Sequence, residues 1–174
     1  MKALQIGSFD RNLGDNIALL NVRKAFEDKL GEIEWESLFF GIKEEGQAIS
    51  LLNKTKYDFI VVGGGGLIES YGFSGCKIPF TKKVLDSIKA PIFFIGLGYN
   101  FFYNGDKINN YGADNLSYVI EKSNYFSLRD DGSLENLRQH SHCFNKDINI
   151  IPDPGCMYKF EKQNFLKTDK LVFQ

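Results

Sequence analysis

Two short runs constrain the fold of this chain more than anything else in it. YDFIVV at 57–62 and PIFFIGLG at 91–98 are apolar at nearly every position, the pattern of strands buried on both faces of a parallel sheet. Parallel strands need crossover connections, and helices supply them here. KALQIG at 2–7 reads as a first strand. From Asp15 onward Ala18, Val22, Ala25, Phe26 and Leu30 recur at helical spacing, with Gly31 as a stop and Asp15 as the expected N-cap. The alternation continues with a strand at 33–39, a helix at 43–54, a helix at 78–88 and another at 111–122. YFSLRD at 125–130 reads as a strand and SLENLRQH at 133–140 as a helix opened by Asp130 and Asp131. INIIPDPG, from 148, is a last strand stopped by two prolines. The fold class expected is α/β: a Rossmann-like parallel sheet with helices on both faces. With 174 residues, 43% of them apolar, the chain can bury one sizeable core.

Charge and motif tests narrow the function. A formal charge of -1 and a pI near 6.1 give no basic field to hold a nucleic-acid backbone, so no nucleic-acid partner is expected. Cys76, Cys143 and Cys156 are odd in number and far apart, which argues against a disulfide framework or a zinc knuckle. A reducing, cytoplasmic setting is the simplest expectation. The N-terminal apolar run is too short for a signal peptide, and no stretch approaches the roughly 20 apolar residues of a transmembrane segment. His140 and His142 lack partners at ligand spacing, so no metal is expected. No glycine is followed by Lys-Ser/Thr as a Walker loop requires, and G-x-G-x-x-G fails at Ile68, Glu69 and Phe101. No cofactor is expected.

Three strand ends carry suggestive sequence: SFDRNLGDN, GGGGLIES and GLGYN. In an open parallel sheet the carboxyl ends of the strands line the ligand crevice. Gly63, Gly64, Gly65 and Gly66 then read either as a tight turn after a strand ending at 62 or as a loop that lets a ligand approach the backbone. Asp15 serves as a cap and can also face a hydroxyl group. Arg129 next to Asp130 and Asp131 reads as an ion pair, and Asp153 between two prolines as a rigid turn.

Taken in order, NLGDNIALL (12–20), FIVVGGGGLI (59–68), PIFFIGLG (91–98), YFSLRDDGSLENL (125–137) and IIPDPG (150–155) resemble the polysaccharide pyruvyl transferases. The resemblance implies the N-terminal domain of a GT-B-type enzyme, with two Rossmann-like halves facing a cleft. It implies transfer of a pyruvyl group from phosphoenolpyruvate to a sugar of a cell-surface glycan or its precursor. It also implies that residues 1–155 form the N-terminal domain. Residues 156–174 would then be a linker, ending in KLVFQ as the first strand of a second domain. That C-terminal domain, or a companion chain, would carry most donor-site residues, leaving this half inactive alone. Under the resemblance Asp15 is the candidate catalytic residue. Asn12, Asp15 and Asn16 face acceptor hydroxyls, Gly14 beside them belongs to the substrate-binding set, Gly63 to Gly66 admit the sugar or the facing domain, and Arg129 and Asp153 order the rim. A non-catalytic module binding glycan or nucleotide-sugar, or a GT-B enzyme of other glycosyl-transfer type, are the alternatives.

Overall fold

The computed structural model describes residues 1–9, 12–70, 74–100, 107–140 and 148–157. His142, Cys143 and KLVFQ, all weighed above, lie outside these residues. Six strands, β1 (Lys2–Gly7), β2 (Glu34–Phe39), β3 (Phe59–Glu69), β4 (Ile92–Asn100), β5 (Tyr125–Arg129) and β6 (Asn149–Ile151), form one sheet in the order β2-β1-β3-β4-β5-β6. Every neighbouring pair is parallel. The helices are α1 (Leu13–Leu30), α2 (Glu45–Leu52), α3 (Lys82–Ser87), α4 (Asn110–Lys122) and α5 (Ser133–His140). A short 3-10 turn, Pro154–Met157, follows β6.

The period of two along each strand sorts the core onto two faces. Ala3, Phe59 and Val61 point to one side and pack with Val22, Phe26 and Trp35 under α1. Phe26 stacks on Phe59 with ring centroids 5.3 Å apart. Leu4, Ile6, Ile60, Val62 and Phe94 point to the other side, against Ala48, Val84, Leu116 and Leu137 from α2 to α5. Both faces of the central strands are therefore covered, which is why their sequences are apolar throughout.

Two boundaries differ from the sequence expectation. The α1 N-cap is Asn12, whose side-chain Oδ1 accepts from the Gly14 amide at 2.9 Å. Asp15 lies inside the first turn, where a carboxylate still complements the helix dipole. The larger difference is in β3. Instead of stopping at residue 62, the strand continues through all four glycines to Glu69. It stays paired with β4, with a register irregularity between Gly65 and Ile68.

The strand order places a switch point between β1 and β3: the chain leaves β1 for β2 on one side and returns to β3 on the other. Connections diverge there at the carboxyl ends, and a crevice opens between them. The segment after β6 crosses that same edge. Pro154 lies over Gly96, where a Cβ would come 2.9 Å from the proline ring. The buried Asn21 of α1 donates from Nδ2 to the Pro154 carbonyl at 2.7 Å, tying two segments 133 residues apart. Among the described residues no helix is long and apolar enough to cross a membrane.

Candidate functional site: a carboxylate-lined cleft at the switch point

A cavity of about 370 Å³ opens at the carboxyl ends of the strands. Asn12, Gly14, Asp15, Ile17 and Ala18 of the α1 start form one side of it; Gly65 of β3, Arg129 of β5 and Asp153, Gly155 and Cys156 of the crossing segment form the rest. The size falls in the ordinary range for small-ligand sites.

Asp15 sits half-buried on the floor. Burial pushes its carboxyl up from the ordinary aspartate value, and Asp153 adds to the rise. A hydrogen bond with Ser8 and the positive charges of Arg129 and Lys77 oppose it. Removal from water penalises the charged form, and here it outweighs the favourable partners. Gly65 is what allows the carboxylate to lie where it does. Its φ of +102° is in the region L side chains rarely adopt, and a Cβ there would come 2.5 Å from Asp15 Oδ1.

Arg129 is held at all three of its nitrogens. Nε donates to Asp131 Oδ2 at 3.0 Å, Nη2 approaches the same oxygen at 2.9 Å, and Nη1 donates to Asp153 Oδ2 at 2.9 Å. Each aspartate is fixed in turn. Asp131 Oδ1 accepts from the Ser133 amide at 3.1 Å and from the Ser133 hydroxyl, which itself accepts from the Tyr99 amide at 2.7 Å. Asp153 Oδ1 accepts from the Gly155 amide at 2.7 Å. A Cβ at Gly98 would collide with the guanidinium, so the bare backbone of β4 gives Arg129 its path across the rim. Charge-assisted bonds of this geometry orient the groups that make them.

Of the residues singled out from sequence, the structure brings together Asn12, Gly14, Asp15, Gly65, Arg129 and Asp153 in one cavity. Asn16 follows in the α1 first turn, its amide donating to the Asn12 carbonyl at 3.0 Å, and is not among the residues lining the cavity. The other three glycines are occupied by the protein itself. Gly63 makes room for the Ile95 carbonyl, and Gly64 packs against Ala18 and Leu19. Gly66 makes room for Asn100, whose Nδ2 donates to the Gly66 carbonyl at 2.8 Å. Sequence reasoning did not single out Ile17, Gly155 or Cys156 as lining residues. It also missed Lys77, whose charge reaches Asp15 and whose amide donates to the Leu67 carbonyl at 2.8 Å.

A parallel sheet of this order, with a polar cleft at its switch point, defines a layered α/β domain of Rossmann-like type. Fold alone does not select a chemistry for it. The family model for polysaccharide pyruvyl transferase matches residues 12–170, most of the chain, and the chain belongs to that family. Membership implies a glycan substrate. Comparison with curated proteins and with solved structures found no match.

Proposed function

We propose that this chain forms the acceptor-binding wall of a pyruvyl transferase and that the cleft around Asp15 receives the sugar. The observation that carries this reading is the state of Arg129, the only cation lining the cavity among the described residues. Its guanidinium is already matched by Asp131 and Asp153. With Asp15 added, this wall holds more carboxylate than free cation. Such a surface suits neutral hydroxyl groups, which donate to carboxylates, better than the phosphate and carboxylate of phosphoenolpyruvate. The cations that take the donor then belong to a facing half of GT-B type, across the open side of the cleft.

In the proposed reaction the methylene carbon of phosphoenolpyruvate takes a proton, and the adjacent carbon becomes oxocarbenium-like. One sugar hydroxyl adds to that carbon and loses its proton; phosphate departs; a second hydroxyl of the same sugar adds, loses its proton and closes the ketal. Two hydroxyl protons are released, one balancing the proton gained by carbon and the other leaving with phosphate. Asp15 is assigned to accept the proton of an attacking hydroxyl. A carboxyl raised above its ordinary value by burial is, once ionised, a better base than an exposed one. Asn12 and Asp153 orient the sugar, and Gly65 keeps the carboxylate at the backbone.

The test is phosphate release from phosphoenolpyruvate in the presence of a glycan acceptor, by the protein that carries this chain together with its facing half. The expected result is acceptor-dependent release that falls at least about a hundredfold in Asp15→Asn, in line with loss of a general base. Glycan binding without any phosphate release, in every combination with a facing half, would assign the chain to a non-catalytic glycan module instead.

A further inference from the structure

The opposite end of the sheet carries a cavity larger than the Asp15 cleft. It measures about 680 Å³ and lies at the amino ends of β3 and β4, where the loop after α2 meets the loop after α3. Lys54, Lys56 and Lys89 line it together with Thr55 and a single carboxylate, Asp58. Asp58 is engaged elsewhere, its Oδ2 accepting from the Lys2 amide at 2.8 Å. Lys54 lies 3.6 Å from Glu36, a loose and exposed pair. Among the described residues Lys56, Lys89 and Thr55 make no ion pair or side-chain hydrogen bond. An adjacent cavity, of about 320 Å³, shares Lys89, Ala90 and Pro91 with the first and adds Lys122, itself paired with Asp86 at 3.3 Å.

The chain as a whole carries a charge of -1. Lys2, Lys24 and Lys83 lie beside carboxylates, and Lys29, Lys43 and Lys107, also unmatched among the described residues, line neither of these two cavities. Here Lys56, Lys89 and Thr55, unmatched among the described residues, line one concave space with a single carboxylate that is engaged elsewhere. An anion supplies the partner these groups lack. Compact ammonium charges on flexible stems suit a phosphate, which accepts from several directions. We propose that this basal cavity is a second binding site of the protein, for a phosphate-bearing anion. It stands across the full length of the strands from the Asp15 cleft, so its ligand does not compete with the sugar, and the inference does not depend on the function proposed for that cleft.

The test is titration of the isotope-labelled chain with inorganic pyrophosphate, followed by amide chemical shifts. Saturable shifts are expected at residues 53–58 and 88–91, with the cleft residues Asp15 and Gly155 unmoved. Affinity is expected to weaken between roughly 0.01 and 0.15 M salt, as the screening length contracts from about 30 to about 8 Å. The double variant Lys56→Glu, Lys89→Glu changes two exposed side chains, leaves the fold intact by circular dichroism and loses at least about tenfold in affinity, since both charges reverse at contact distance. A parallel sedimentation assay with vesicles containing anionic phospholipid identifies the source. Binding of vesicles as well as pyrophosphate marks a lipid headgroup, and pyrophosphate alone marks a free phosphate ester. Shifts confined to the cleft, shifts that do not saturate, or an unchanged affinity in the double variant overturn the proposal.

Discussion

Replacing Gly65 by alanine tests the geometry of the cleft floor at a single atom. The new Cβ meets two separate penalties. The backbone φ of +102° disfavours any L side chain, at roughly 1–3 kcal/mol. The Cβ would also stand 2.5 Å from Asp15 Oδ1, well inside van der Waals contact. The carboxylate has to rotate away, at about 0.5–1.5 kcal/mol for leaving its rotamer well. Gly31→Ala isolates the first penalty. Gly31 has φ +82° with nothing within 4 Å of its would-be Cβ, so alanine there meets strain alone. Gly65→Ala is therefore expected to destabilise by about 1 kcal/mol more than Gly31→Ala in denaturant unfolding, once slopes are matched. It should also move the Asp15 carboxyl resonance and its titration midpoint, which Gly31→Ala leaves in place. Equal destabilisation by the two substitutions, with an unmoved Asp15 signal, would refute the contact and with it the idea that Gly65 places the carboxylate.

Three further outcomes follow from the same structure. Asn21→Leu leaves the Pro154 carbonyl without its buried donor and should cost about 1–3 kcal/mol; a shifted Gly155 amide resonance would show the crossing segment loosened, and an unmoved one would show that Asn21 does not hold it. Because the Asp15 pKa is raised by folding, its contribution to stability is complete below the unfolded-state value and is lost as pH rises through the folded-state value. Asp15→Asn is thus expected to be more stable than the parent near neutral pH, with the advantage vanishing in acid; a difference that stays constant across pH contradicts the assignment. Burial pushes the Cys76 thiol up to about 12, whereas Cys156 is exposed at the cleft. Alkylation at mild pH, mapped by mass spectrometry, should label Cys156 in the folded protein and Cys76 only after unfolding.

The sheet itself was legible because apolar periodicity reports burial directly. FIVV and IFFI had to be central strands, and Ala18, Val22 and Phe26 had to face a sheet. The four glycines misled for an equally physical reason. Glycine is depleted in strands, so a run of four reads as a loop, yet here it lets a strand run on beneath crowded neighbours. What crowds them, the Ile95 carbonyl, Leu19, Asp15 and Asn100, comes from other elements that local sequence does not announce. Asn12 and Asp15 are both good cap residues, and spacing alone could not choose between them. The strand-end rule brought Asp15, Arg129 and Asp153 to one edge correctly. It could not pair Arg129 with Asp153, 24 residues on, nor find Asn21 reaching the Pro154 carbonyl. Such contacts belong to the assembled fold.

The crossing segment has a consequence for how the molecule comes into being. Asp15 and Gly65 are synthesised early, and the sheet can begin to assemble around β1, β3 and β4 while the rest of the chain is still being made. Asp153, Gly155 and Cys156 arrive about ninety residues after Gly65, and only then can Pro154 settle over Gly96 and meet Asn21. A nascent chain halted after α5 would hold the floor of the cleft and one arm of its arginine clamp, but no far wall. The cleft is thus finished last, and its completion reports that every strand before it has already found its place.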